Sequence, residues 1–409
     1  MPSTDIAPLP MAFRRIGWSN LFAQFSEQIA LAAAPLAAVL LLAAGPVETG
    51  WLQTAQTLPF LLLSIPAGLM VDRASRRRLM VGTEALRAIS LLAIPLLIAA
   101  GTLDLTWLAL LGALGAIGTV CYSVAAPAFV PSVVPRAKLA DANRWLELAR
   151  SVAYAAGPAL GGALVGWIGV STAYGLAAGL SILAAMLLSG LPRDEAPTGP
   201  CRDLVADLEE GARFVAGHEL LRPILMTAVF FNISWFILQA VYVAYAVQDL
   251  GLGATQVGIT LGIYGAGMIV GAVLAPAITK RISFGAMVLL GPFAGFCAAG
   301  LMLATLWLPS VYLVAASFFL FGAGPIIWTI STMTLRQAVT PNAMLGRVSA
   351  LIMTASFGAR PVGAAIGASV AANLGIAACL ALATVGFLIQ LLVIGFSRVP
   401  RLRDVSEAA

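Results

Sequence analysis

Charge is what this sequence has least of. Of its 409 residues, 10% are charged and 60% are hydrophobic, whereas a soluble domain carries about 25% charged residues. With so little polar surface the chain cannot face water on all sides, so its solvent is lipid. Lysine occurs twice, at Lys138 and Lys280. Neither lies in a Gly-x-x-x-x-Gly-Lys-Ser/Thr loop, which excludes ATP hydrolysis by that phosphate cradle and leaves an ion gradient as the energy source. His218 is the one histidine, and the four cysteines (Cys121, Cys201, Cys297 and Cys379) have no spacing suited to a disulfide framework or a metal site. No Gly-x-Ser-x-Gly elbow occurs. The expectation is a non-enzyme with no metal and no cofactor. Met1 to Arg15 does not read as a secretory signal, because no small-residue cleavage site breaks the apolar run that follows.

What the chain does have is long apolar runs. A bilayer core of about 30 Å takes roughly 20 apolar residues as a helix, and the sequence divides into twelve such runs. They fall near 16–43, 48–71, 79–100, 106–131, 142–166 and 172–191, then near 221–247, 254–279, 283–306, 309–335, 347–371 and 376–397. The fold class predicted is an all-α polytopic membrane protein. The net charge of +5 would suggest nucleic acid in a soluble protein; here it reports orientation. No Lys or Arg falls in the connections near 45–50, 101–105, 167–171, 248–253, 307–308 or 372–375. The alternate connections hold Arg73, Arg76, Arg77, Arg78, Arg136, Lys138, Arg193, Arg202, Arg213, Lys280, Arg281 and Arg336. Cationic loops stay on the cytoplasmic side, so every second loop is inside and both termini are cytoplasmic.

The longest connection, 192–220, separates an N-terminal six-helix bundle (1–191) from a C-terminal six-helix bundle with its tail (221–409). It begins with Pro192, Pro197 and Pro200 and then becomes amphipathic. Leu204, Leu208, Ala212 and Val215 share a face opposite Asp203, Asp207, Glu210 and Arg213, as in a helix lying at the cytoplasmic membrane surface; a solvated linker is the other reading. The halves echo each other faintly, Pro66–Arg73 against Leu274–Arg281 and Gly157-Pro158 against Arg360-Pro361. Two related halves with a site between them at mid-membrane is a recurrent transporter plan.

After the second span the chain reads Gly68-Leu-Met-Val-Asp72-Arg73-Ala-Ser-Arg76-Arg77-Arg78. This resembles the signature loop of the major facilitator superfamily. The resemblance implies two pseudo-symmetric six-helix bundles rocking about a central cavity, with Gly68, Asp72, Arg73, Arg76 and Arg77 forming a gating loop that latches the halves together on the inside. The corresponding stretch at Lys280-Arg281 lacks the acid. In the fifth span, Gly157-Pro158-Ala-Leu-Gly161-Gly162 is similar to the motif of drug/proton antiporters, with close helix packing as its other reading. Asp207-Leu-Glu-Glu-Gly211-Ala-Arg213-Phe214 with Leu221-Arg222 resembles the central loop of the macrolide-efflux and enterobactin-exporter branch. The fourth span has no arginine, where many drug/proton antiporters carry one.

Ionisable groups inside the spans are the candidate functional residues, because a charge at the bilayer centre costs about 2.5–3.5 kcal/mol or more. Glu27 lies near the middle of the first span. Asn20, Gln24, Glu27 and Gln28 share its face at helical spacing, and such a stripe belongs beside a wet cavity. Desolvation disfavours the charged form of a carboxyl, which suits Glu27 to take and release a proton; a structural hydrogen-bonding role is the other reading. Arg360, in the eleventh span, counters an acidic substrate group, pairs with Glu27, or holds the structure. Glu84 and Arg87, and Arg144, Glu147 and Arg150, lie at i, i+3 spacing and are read as gating and structural pairs. In the seventh span Asn232, Trp235, Phe236, Gln239 and Tyr242 share a side. They form either the wall that a bulky amphipathic ligand needs or a lipid anchor; Tyr122, Tyr154 and Trp328 are of the same kind.

The expectation is therefore a proton-coupled antiporter of the inner membrane that expels bulky amphipathic molecules such as drugs, macrolide-like compounds or a siderophore. Its partners would be a small-molecule substrate, protons and the lipid bilayer, with no nucleic acid, and it would act as a monomer. An uptake symporter or facilitator for a small metabolite is the second reading. A non-transporting membrane receptor or scaffold is the third.

Overall fold

The structure, a computed structural model, describes residues 10–135, 138–192, 204–341 and 344–404; the side chains of 64–65, 68–73, 127–128, 140 and 204–207 lie outside that description. Helices account for nearly all of it. In order they are α1 (Met11–Leu42), α2 (Pro46–Arg73), α3 (Arg76–Ala99), α4 (Leu105–Val133), α5 (Leu139–Trp167) and α6 (Val170–Ser189). Then come α7 (Leu204–Gly217), α8 (Leu221–Gln248), α9 (Ala254–Thr279), α10 (Phe284–Ala304), α11 (Val311–Val339) and α12 (Leu345–Gly395). Nine of them are long and apolar enough to cross a membrane. α12 runs 51 residues but breaks at Gly375, whose φ of 80° lies in the left-handed region that favours glycine. Its two arms, together with α2 and α5, are consistent with the twelve-span map.

Local chemistry sets the helix ends. Ser75 accepts a hydrogen bond from the Arg78 amide at 3.3 Å to open α3, Asp104 accepts from Trp107 at 2.8 Å to open α4, and Ser283 accepts from Ala286 at 3.3 Å to open α10. The faces turned outward are apolar. Ile89, Leu96 and Val273 are 68%, 64% and 71% exposed, a distribution stable only where the surroundings are hydrocarbon.

The helices pack as two groups. α1 lies against α5 and α6, α3 against α4 and α6, and α2 against α4; α8 lies against α12, and α11 against α9 and α10. The groups meet where α5 faces α9 and where α2 faces α12 and α8. They meet closely at the end of the molecule whose turns lack basic residues. There a Cβ on Gly162 would lie 2.5 Å from the Gly258 Cα, and one on Gly50 would lie 2.7 Å from the Ala368 Cβ. The Thr49 hydroxyl donates to the Ala240 carbonyl at 2.9 Å, and the Gln248 amide donates to the Ala44 carbonyl at 3.1 Å. At the basic end, three bonds among the described residues do not cross between the groups. Arg15 and Arg77 reach the carbonyls of Gly190 and Ser189, and Arg398 pairs with Glu219.

α7 docks on protein. Val215 is buried with Leu221 and Val348, Gly211 lies against the Arg347 carbonyl, and Glu210 pairs with Arg347 at 2.7 Å. The apolar face that the sequence offers to a membrane surface is thus covered at Val215 by α8 and the start of α12.

Candidate functional site: a cavity between the halves

A cavity of about 330 Å³ lies between the two groups of helices. α1 supplies Glu27 and Gln28, α2 supplies Gln53, Gln56, Thr57 and Phe60, α3 supplies Arg87 and α5 supplies Tyr154. From the other side come Phe231, Asn232, Trp235, Phe236 and Gln239 of α8, Tyr264 of α9 and Arg360 of α12. Of the polar stripe on the first span, Glu27 and Gln28 reach the cavity. Asn20 is buried and donates to the Leu146 carbonyl of α5 at 3.5 Å, and Gln24 does not line the cavity.

Glu27 is half-buried, and among the described residues no cation comes within 4.0 Å of its carboxylate. The charges near enough to act on it are Arg87, Glu84, Arg360 and Arg150. Arg87 is committed elsewhere. Its Nη1 meets Glu84 Oε1 at 2.9 Å and its Nη2 donates to the Thr119 hydroxyl at 2.8 Å, while the Ser181 hydroxyl donates to Glu84 Oε2 at 3.1 Å. The pair is sealed, with Arg87 at 4% and Glu84 at 0% side-chain exposure. Arg87 nevertheless forms part of the cavity wall, a placement its i, i+3 spacing alone did not suggest. Arg150 and Glu147 pair at 2.6 Å on an exposed face of α5, and Arg144 is exposed.

The opposite wall is aromatic. Trp235 stacks on Tyr264 with ring centroids 5.2 Å apart and meets Phe321 edge-on at 4.8 Å, geometries that favour aromatic pairs. The Arg360 guanidinium lies over three rings, with Cζ 4.3 Å from the Phe357 centroid, 5.2 Å from Phe60 and 5.6 Å from Phe236. Phe60 belongs to α2, so this cation bridges the halves through ring faces rather than through a carboxylate.

Three expected wall residues lie elsewhere. Tyr242 is fully buried, bonded to the Thr260 hydroxyl and packed on Phe318 at 4.6 Å, turned towards α9 and α11 while its neighbour Val243 lines the cavity. Tyr122 is buried in the N-terminal half beside Ala125 and Phe129. Trp328 lines a second cavity, inside the C-terminal half. Conversely, Gln53, Gln56, Thr57 and Phe60 were not anticipated, although their i, i+3, i+4, i+7 spacing is a readable signal. Among the described residues, no three His, Cys, Asp or Glu side chains gather as metal ligands.

A two-sided fold around a central cavity fits a known family, and residues 3–409 match the transmembrane secretion effector family of major facilitators. The chain belongs to that family. An uncharacterized MFS-type transporter, y4rN, of Sinorhizobium fredii is 28% identical over 348 residues, 78% of this chain and 79% of that one. The enterobactin exporter EntS of Escherichia coli is 27% identical over 240 residues, 58% of this chain. That match spans 56%, just over half, of the exporter's length. Among solved structures, a bacterial homologue of the iron transporter ferroportin in an inward-facing state superposes with a TM-score of 0.74 at 16% identity, over 95% of this chain and 98% of that one. A D-xylose-proton symporter superposes with a TM-score of 0.75 at 13% identity, over 97% and 98%. These two show the major facilitator fold. The protein is thus a multi-pass membrane transporter of a small molecule.

In this secretion effector the motif glycines are contact surfaces. A Cβ on Gly157 would lie 2.5 Å from the Gln28 Cβ, one on Gly161 would lie 3.0 Å from the Ile29 carbonyl, and Gly162 presses on α9. Pro158 lines the cavity. α5 therefore carries the cavity wall and the inter-half seam on one short stretch. In the gating loop, Arg77 donates to the Ser189 carbonyl and Arg76 opens α3. The side chains of Gly68, Asp72 and Arg73 lie outside the described residues.

Proposed function

We propose that this protein is a secondary active exporter of bulky amphipathic small molecules (drugs, macrolide-like compounds or siderophores) driven by proton antiport. The observation that carries the reading is Glu27, a carboxylic acid without an ion-pair partner among the described residues, in a cavity whose facing wall is aromatic. An ionisable group inside a membrane protein persists where it pairs or meets a water-filled path, and Glu27 lines the cavity between the halves. The rings of Trp235, Phe236 and Tyr264 supply apolar area, and Asn232, Gln239, Gln53 and Gln56 supply orienting amides, the composition that suits a bulky ligand. Similarity to an enterobactin exporter supports outward transport.

In this reading 1–191 and 221–409 rock as two bodies joined through 192–220, and the protein works as a monomer in the inner membrane with both termini in the cytoplasm. The tight seam at Gly162 and Gly50 then closes the outer side, and the cavity is served from the cytoplasm. Asp72, Arg73, Arg76 and Arg77 latch the cytoplasmic side when the seam opens. Proton entry neutralises Glu27 and promotes the return; substrate and proton thus occupy the cavity in alternation.

The test is dye or antibiotic accumulation in cells with and without the protein, before and after the proton gradient is collapsed, in wild type and Glu27→Gln. Export that disappears on collapse, and in Glu27→Gln even with the gradient intact, is the expected result. Coupled export at the wild-type rate in Glu27→Gln removes Glu27 from the mechanism.

A further inference from the structure

The C-terminal half encloses a second cavity of about 340 Å³, bounded by α8, α10, α11 and both arms of α12. Phe231, Asn232 and Arg360 belong to its wall and to that of the main cavity, so the two spaces adjoin at Arg360.

The charged residues lining this cavity, Arg336 and Arg360, are of one sign. Five buried atoms of its wall have no hydrogen-bond partner: Thr227 Oγ1, Trp328 Nε1, Arg336 Nε, Arg360 Nε and Gln390 Nε2. Four are N–H donors, and the fifth is a hydroxyl that can donate. The lining contains no Asp or Glu, and among the described residues neither Arg336 nor Arg360 forms an ion pair. Rings cover the face of the Arg360 guanidinium and leave its N–H edge. Buried donors without acceptors, and cations without counter-charge, are costly in a low-dielectric interior. Water could accept from the donors but would not balance two guanidinium charges.

We infer that this cavity is a binding site for a carboxylate or similar oxyanion, held by the guanidinium groups of Arg336 and Arg360. Arginine's fork of N–H groups matches a two-oxygen acceptor. The anion comes from one of two sources, the acidic group of the transported molecule or a small free anion. With the first source the inference rests on the export reading. The transported molecule then lies with its apolar body against Trp235 and Tyr264 and its acidic end past Arg360.

The test uses the full chain, purified and reconstituted in lipid nanodiscs, with sodium benzoate, sodium acetate, sodium chloride and neutral benzamide as probes. Binding is read by titration calorimetry and by the shift in Tm. Benzoate is expected to bind and raise Tm where benzamide does neither. Arg336→Gln should weaken benzoate by about tenfold or more, the effect of losing one charge-assisted contact. Gln390→Glu places a carboxylate within the wall, so it should raise Tm without added anion and abolish the benzoate response. That variant decides the matter if Arg336→Gln fails to fold.

Benzoate at least about tenfold tighter than acetate and chloride assigns the site to the transported molecule's acid; equal affinities assign it to a free anion. Absence of anion binding in the wild-type protein overturns the inference, as does binding unchanged by both Arg336→Gln and Gln390→Glu. Proton-coupled efflux is measured separately in the same preparation. Efflux without anion binding sinks this inference alone, whereas anion binding without efflux sinks the export reading alone.

Discussion

The two halves of the molecule handle buried charge in opposite ways. In the N-terminal half, Glu84 and Arg87 neutralise each other, and Ser181 and Thr119 complete their hydrogen bonds. Among the described residues, Glu27 is a cavity-lining acid there without an ion pair. In the C-terminal half, Arg336 and Arg360 have no ion pair among the described residues, and Arg360 lies over aromatic rings. Halves that resemble each other in helix order therefore differ in the sign of the charge they offer the central space.

Breaking the N-terminal pair is the largest perturbation open to this contrast. Removing one member of a buried ion pair costs about 3–5 kcal/mol, because the survivor stays buried and charged. Glu84→Gln should therefore lower thermal stability sharply, and Glu84→Gln combined with Arg87→Gln should recover a large part of the loss. Melting of the purified protein checks both. An unchanged Tm in Glu84→Gln would mean that the pair does not hold α3 against α6.

The seam that joins the halves comes next. At Gly162 an added Cβ meets the Gly258 Cα at 2.5 Å and the Ala254 carbonyl at 2.6 Å, so the neighbour that must yield is backbone. Overpacking of this kind costs about 1–3 kcal/mol, and under the proposed alternating-access cycle it falls on the state in which this seam is shut. Gly162→Ala should cut transport about tenfold, since 1.4 kcal/mol is a factor of ten in an equilibrium constant. Gly175→Ala in α6, where nothing lies within 4 Å, should leave transport unchanged. Equal rates in the two variants would show that α5 and α9 do not need to approach so closely.

The fold was legible because the signals behind it are coarse: apolar runs of bilayer length, basic residues confined to alternate connections, and the Gly68–Arg78 loop. Most helix ends came within a few residues; α1 begins at Met11 rather than 16 because the amphipathic residues ahead of Trp18 continue the helix. The site was only half legible. Helical periodicity put Glu27, Gln28, Asn232, Trp235, Phe236 and Gln239 on cavity-facing surfaces, but it cannot say where a neighbouring helix covers the edge of that face. Tyr242 is covered by Thr260 and Phe318, while Val243 beside it lines the cavity. Arg87 shows the converse. Its i, i+3 partner announced a closed structural pair, and only packing shows that such a pair can also form part of a cavity wall.

On the C-terminal side, the rings about Arg360 supply a gentler test. Cation–π contacts contribute about 0.5–2 kcal/mol each, and Phe357 is the nearest ring. Phe357→Leu should lower stability by about 1 kcal/mol and loosen the contact between α12 and Phe60 of α2. A melting curve checks the first, and hydrogen exchange at the start of α12 the second. No change in either would mean that α12 keeps its place against α2 without this ring.

The smallest expected effect lies outside the membrane, at the corner where α7 turns into α8. His218 Nδ1 accepts from the backbone amides of Leu220 at 3.2 Å and Leu221 at 3.4 Å, which requires that nitrogen to be unprotonated. Burial pushes the imidazole below its ordinary value of 6.5, against a smaller upward pull from Glu219. Between the lowered folded value and 6.5 the unfolded corner binds a proton and the folded corner does not, so stability rises with pH across that window. The contribution is full above 6.5 and fades as pH falls towards the folded value. Two neutral hydrogen bonds of this length support an effect of about 0.5 kcal/mol. Amide exchange at Leu220 and Leu221, corrected for intrinsic rates, should accelerate between pH 7.5 and pH 5.5 in the wild type. His218→Gln, which has no titrating group, should show no such pH dependence; a corner equally protected at both pH values in the wild type would show that the imidazole does not hold it.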